Sequence, residues 1–251
     1  MLLTQKSIAE GGRAFVGYLA QLVDEVEHGT DETLNAVAES KLALLTPIAK
    51  AFLTEVGFEC TSHGVQIFGG HGFIKEWGME QLMRDTRISM LYEGTTGVQA
   101  IDLLGRKILG SKGELIKPFA AEVMAFCQEH GTDDDMAEFI KPMISFGVKW
   151  QEMTKEIGMK AMTNPDEIGA ASVDYLMYSG YMTLAYFWAK MAKVAQDALA
   201  AGTEEKGFYE AKIQTAQFYF QRILPRVKGH AACINNGGES MMSLTADDFL
   251  F

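Results

Sequence analysis

Apolar positions recur at helical intervals along almost the whole chain. Leu3, Ile8, Phe15, Leu19, Leu22 and Val26 mark one face of a long first helix. That helix is predicted to end at His28-Gly29, with Gly29 as its C-terminal cap. Thr30, followed by Asp31 and Glu32, reads as the N-cap of a second helix running to about Phe68. Pro47 lies inside it and is expected to kink it or remove one backbone hydrogen bond. Gly69-Gly70-His71-Gly72 then forms a glycine-dense turn. A short helix around Met79 to Arg84, a further element to Met90 and a helix from Thr96 to Leu109 follow. Gly110-Ser111-Lys112-Gly113 stops the last of these, and the domain-like boundary is expected there.

The remaining sequence predicts three or four more helices. Their starts are marked by Thr132 before three aspartates, by Asn164-Pro165-Asp166-Glu167, and by Thr203-Glu204-Glu205. The last long helix should stop near Pro225, leaving Gly229 to Phe251 as a tail on the surface or on another subunit. Tyr175 to Ala189 is uncharged, but it is too short for a membrane span and holds Ser179, Gly180 and Thr183. Strand-type alternation and hairpin dipeptides are missing. The expected fold is all-α: two tandem antiparallel helical bundles, over residues 1–110 and 111–251.

Composition narrows the function classes. The chain has 251 residues and a net charge of −11, which argues against a nucleic-acid surface. Apolar residues at 48% and charged ones at 22% are globular proportions. Cys60, Cys127 and Cys233 are odd in number and far apart, as expected of reduced thiols. With no signal-type apolar run after Met1, a soluble cytoplasmic protein is expected.

Few single motifs carry chemistry. His28, His63, His71, His130 and His230 form no metal-binding spacing, and no metal site is expected. The sequence has no nucleophile elbow. The glycine turn matches neither phosphate-loop fingerprint; it reads as a tight turn or as backbone that must approach a ligand closely. Glu93 precedes a predicted helix, either as an acid near a positive helix end or as a base on an element terminus.

The motifs in combination say more. Gly64-Val65-Gln66-Ile67-Phe68-Gly69-Gly70-His71-Gly72-Phe73 is followed by Leu82-Met83-Arg84-Asp85-Thr86-Arg87-Ile88 and then Leu91-Tyr92-Glu93-Gly94-Thr95. In this order and spacing, the run closely resembles the C-terminal helical domain of the acyl-CoA dehydrogenases. Gly97 to Lys107, with a further helical block behind it, resembles one subgroup. Its members carry an extra C-terminal bundle and include enzymes similar to 3-methylmercaptopropionyl-CoA dehydrogenase.

The resemblance implies FAD as cofactor, an acyl-CoA as substrate and an electron-transfer flavoprotein as acceptor. It implies that Glu93 removes the α-proton of the thioester while the β-carbon passes a hydride to the flavin. An α C–H beside a thioester is a weak acid, so such a base must be close and desolvated. The Glu93 amide, with Gly94 beside it, would help hold the thioester oxygen. Gln66, Gly69 and Gly70 match positions against the FAD of a neighbouring subunit, and Thr95 matches one reaching its phosphate or ribose. Arg84 and Asp85 match a pair expected to form a structural ion pair. Gly97 stands where the family often has Gln, leaving one adenine-side contact open. Ala100 replaces a basic residue, as in the subgroup.

The family's preceding helical and β domains are not visible in this chain. The resemblance therefore implies a fragment of a longer enzyme or a truncated gene product, inactive by itself. A non-catalytic helical assembly module descended from the family is the competing reading, and an acyl-CoA oxidase is a third. Apolar helix faces around Val65, Ile67 and Phe68, left without those domains, predict a homodimer or larger.

Overall fold

The computed structural model describes residues 1–250, and no strand occurs among them. The all-α expectation holds. Helices α1 (Leu2–His28) and α2 (Glu32–Phe68) form a long antiparallel hairpin. The first helix ends at His28 with Gly29 as its C-cap, as predicted, but the turn's geometry differs. Gly29 is extended (φ −63°, ψ 143°), and a Cβ there would lie 2.2 Å from Asn35 Oδ1 and 2.4 Å from the Glu25 carbonyl. Close approach, not a left-handed cap, requires glycine at this position. The N-cap of α2 is Asp31 instead of Thr30, because its carboxylate accepts the amides of both Thr33 (2.8 Å) and Leu34 (3.1 Å).

Pro47 interrupts the hydrogen bonding of α2 without ending the helix. It has no N–H for the Ala43 carbonyl, four residues earlier. Lys107 takes that place, donating to Ala43 O at 2.5 Å. After the short α3 (Gly70–Phe73) and a 3-10 turn (Lys75–Trp77), one helix, α4 (Met79–Ile88), replaces the two pieces expected up to Met90. Helix α5 (Thr96–Ile101) continues as a π-helical stretch, Asp102–Leu109. The wider turn brings residues five apart into line as well as residues four apart. Asp102 therefore pairs with both Arg106 (2.5 Å) and Lys107 (3.2 Å).

The second half contributes α6 (Lys117–Glu129), α7 (Ala137–Ala161), α8 (Asp166–Ala200) and α9 (Lys206–Phe218). A π-turn (Tyr219–Ile223) and a 3-10 turn (Leu224–Arg226) carry α9 past Pro225. The chain then forms α10 (Val227–Asn236), packed on α8, so the expected tail is helical as far as Asn236. A short α11 (Glu239–Met242) follows.

The uncharged stretch is the middle of α8, and every residue from Tyr178 to Ala189 is buried. Helices α1, α2, α5, α7, α9 and α10 surround it. Its polar groups are satisfied locally: Ser179 donates to the Tyr175 carbonyl (2.7 Å) and Thr183 to that of Ser179 (2.8 Å). Trp188 Nε1 reaches the Ser7 carbonyl (3.0 Å). Among the described residues no helix is long and apolar enough to cross a membrane.

Buried side chains from both sequence halves form one continuous core. Two half-buried carboxylates tie the halves together. Glu122 on α6 accepts from Tyr18 of α1 (2.6 Å), Lys41 of α2 (2.5 Å) and Tyr186 of α8 (2.8 Å). Glu59 of α2 receives both Arg226 guanidinium nitrogens at 2.7 Å.

Burial by itself would push the Glu122 carboxyl up, but hydrogen bonds from Lys41, Tyr18 and Tyr186 and the Lys41 charge outweigh it and hold the pKa below the usual value. Burial likewise opposes, and the Arg226 hydrogen bonds and charge override, at Glu59. Both folded-state values are lowered, so their stabilisation is complete above the unfolded Glu pKa of about 4.3. It is lost as pH falls below that. Thermal melts taken downward from pH 7 should show Tm falling in this range. Glu122→Gln should melt lower at pH 7 and decline less steeply.

The crossing of α8 over α2 gives a sharper expectation. A Cβ on Gly180 would lie 2.2 Å from the Phe52 ring. Gly to Ala inside a helix ordinarily gains about 1 kcal/mol. Here overpacking should win, so Gly180→Ala is expected to lose about 1–3 kcal/mol in urea unfolding.

Candidate active-site segment

The turn that carries Glu93 lies between α4 and α5, on the flank of α2. Glu93 is exposed and left-handed (φ 52°), and Gly94 after it has φ 92°. Left-handed backbone is unfavourable for a residue with a Cβ, so the surroundings must hold it. Lys50 of α2 donates to the carbonyls of Ser89 (2.9 Å) and Gly94 (2.5 Å), with its ammonium 5.9 Å from the Tyr92 ring centre. Thr96 donates to Glu55 of α2 at 2.5 Å. Gln99 makes a long hydrogen bond, 3.4 Å, to the Glu93 carbonyl, and its amide lies so close that a Cβ on Gly94 would clash at 2.1 Å.

Among the described residues the Glu93 amide donates no hydrogen bond. Thr95 stands at the N-cap of α5, exposed, yet its hydroxyl caps nothing. The turn therefore presents a carboxylate, a free amide and a free hydroxyl side by side.

Gln66, Gly69 and Gly70 lie elsewhere. They are exposed: Gln66 sits in the last turn of α2, eleven residues beyond Glu55, or roughly 16 Å at 1.5 Å per residue, and Gly69 and Gly70 lie just past the end of the helix. Gly69 has φ 61°, which accounts for its glycine. Gly70 lacks a positive φ, and a Cβ there would meet no atom within 4 Å. Gly72 is different, since a Cβ there would lie 2.3 Å from the Val65 carbonyl. The structure thus separates the predicted residues into two groups, one at each end of this part of α2.

Apolar surface flanks both groups. Ile67, Phe68, Trp77, Leu91 and Tyr92 are exposed, and Phe73 is 80% exposed. Val65, expected among them, is half-buried because the α3 turn packs on its backbone.

Residues 12–109 match the family model "Acyl-CoA dehydrogenase, C-terminal domain", and residues 119–245 match "Acetyl-CoA dehydrogenase C-terminal like". The chain is 35% identical over 248 residues to 3-methylmercaptopropionyl-CoA dehydrogenase of Ruegeria pomeroyi, covering 97% of this chain and 41% of that protein. The chain belongs to the acyl-CoA dehydrogenase family. It is also 31% identical over 261 residues to the broad-specificity linear acyl-CoA dehydrogenase FadE5 of Mycobacterium tuberculosis, with 97% and 41% covered. The crystal structure of Caenorhabditis elegans ACDH-11 in complex with C11-CoA has the same fold, with a TM-score of 0.73 at 20% identity. That match covers 98% of this chain and 39% of the other. The chain spans about two fifths of the length of these relatives.

Within this acyl-CoA dehydrogenase segment, one sequence expectation about the motif fails. Asp85 accepts from Gln81 (2.6 Å), and no ion pair joins Arg84 to Asp85 among the described residues. Adjacent helical residues point in different directions, whereas residues four apart share a face. Sequence reading also missed Lys50, Glu55 and Gln99. Lys50 had a signal: it is the only charged residue between Lys41 and Glu55, in a mostly apolar stretch of the helix.

Proposed function

We propose that this segment supplies the catalytic base and part of the flavin-binding surface of an FAD-dependent acyl-CoA dehydrogenase. The observation that carries the reading is the Glu93 turn, in which an exposed carboxylate and an undonated amide share one residue. The substrate class is an acyl-CoA thioester. Glu93 takes the proton from its α-carbon, and the Glu93 amide, with Gly94 next to it, donates to the thioester oxygen as negative charge develops there. When bound, the flavin accepts the hydride leaving the β-carbon.

The residues present suit that cofactor. Gly70 needs no glycine for its own backbone or packing, which fits a ligand lying close against it. Gln66 and Gly69 stand beside it on open surface. Their distance along α2 from Glu93 supports contact with the flavin of a neighbouring subunit, while Thr95 serves the flavin near its own Glu93. An electron-transfer flavoprotein is the acceptor proposed for the reduced enzyme. The free cysteines suit a reducing compartment, the cytoplasm. The two family models part between residues 109 and 119, which supports a division into residues 1–110 and 111–251. By themselves these residues furnish only part of the flavin and acyl-CoA contacts, and no turnover is proposed for them alone.

In the full-length enzyme, Glu93→Gln keeps the shape of the side chain and removes proton abstraction. Flavin bleaching in a single turnover with acyl-CoA should slow by at least about 10²–10⁴-fold. Bleaching at the wild-type rate would rule out Glu93 as the base.

The exposed Ile67, Phe68, Phe73 and Trp77 favour association, since large apolar patches tend to be buried between subunits. Light scattering on the purified chain at micromolar concentration should give a dimer or larger. A monodisperse monomer would refute this.

A further inference from the structure

The Glu93 turn is held by a side chain distant in sequence. We infer that Lys50 is a positioning residue for the Glu93 carboxylate, which rests on Glu93 being the base. Lys50 is half-buried on α2, between the buried Ile48, Ala51 and Phe52. Its ammonium donates to Ser89 O, on the residue that caps the C-terminal end of α4, and to Gly94 O, immediately after Glu93. The first is one of the carbonyls that a helix leaves unpaired, at the end where a cation is favoured. The second belongs to the left-handed pair Glu93-Gly94. One ammonium thus closes the turn across its base, from Ser89 to Gly94, and Glu93 is the last of the four residues it encloses.

Alternatives for fixing the turn are weak. Gln99 reaches the Glu93 carbonyl only at 3.4 Å, and Thr96–Glu55 anchors the start of α5, beyond the turn itself. The side chain of Glu93 makes no hydrogen bond among the described residues that would orient it. Its direction is therefore set by its backbone, and the shortest side-chain tie on that turn is the one from Lys50 to Gly94 O. A base misplaced by about 1 Å can cost about a hundredfold in rate.

The test compares Lys50→Met, which keeps length and removes the donors, with Lys50→Arg, which keeps charge and donors. Hydrogen exchange in this chain reads the turn directly, at the Leu91 and Tyr92 amides that donate to Ile88 O. Lys50→Met should speed their exchange about ten- to a hundredfold, the effect of losing charge-assisted hydrogen bonds. The amides of Tyr181 and Leu184 in α8 should keep their protection, and Lys50→Arg should restore most of that at Leu91 and Tyr92. In the full-length enzyme, Lys50→Met should lower kcat about ten- to a hundredfold while KM for acyl-CoA moves by less than about threefold.

Wild-type protection of Leu91 and Tyr92 in Lys50→Met overturns the inference, whatever Glu93 does. A loosened turn with wild-type kcat overturns it as well. Full activity of Glu93→Gln overturns the base assignment instead, so the exchange measurement separates the two failures.

Discussion

From Tyr178 to Ala189, α8 presents no side chain to water, and a helix buried on every face exists only where other helices enclose it. That requirement organises the protein. Both sequence halves must supply walls: α1, α2 and α5 from the first, α7, α9 and α10 from the second. Thr183 and Trp188 of α8 donate to the carbonyls of Ser179 and Ser7, and Tyr219 donates to the Tyr181 carbonyl of α8. Position along α2 then follows, because α2 packs against this central helix and carries the site on its flank.

Helix α2 is the support against which the candidate site is aligned. Pro47 frees the Ala43 carbonyl, and Lys107 takes it, drawing the π-helical end of α5 onto α2. Glu55 accepts from Thr96 at the start of α5, and Lys50 donates to the turn before it. Three polar attachments thus fix a segment whose own sequence is rich in glycine and threonine. The turn that carries Glu93 is thus held by a neighbouring helix as well as by its own backbone.

Helical periodicity made the elements legible, and the glycine turn, the Arg-Asp pair and the Tyr-Glu-Gly-Thr run in fixed order made the family legible. The limits had local causes. Asp31 outcompetes Thr30 as a cap because a carboxylate can accept two amides at once. The π-turns at Asp102 and Tyr219 leave no mark on a periodicity read at one residue in 3.6. Lys50 and Glu55 were invisible as site residues because their roles depend on which turn α2 passes, a tertiary fact. The helix from Val227 was read as tail because Gly229 and the asparagines near its end suggest irregular chain, whereas packing on α8 decides otherwise.

The contact between Gly180 and Phe52 also bears on how such a chain can be recombined. Phe52 lies before the glycine-rich link at residues 110–113 and Gly180 well after it, yet a side chain at 180 has room only if the Phe52 ring gives way. Glu59 with Arg226, and Lys41 with Glu122, are tied across the same link. A chimaera cut there, joining the first half of this chain to the second half of a relative, would take one member of each of these three pairs from each parent. The link is a convenient place to cross over in sequence and a poor one in physics, so the two halves are expected to diverge as a unit.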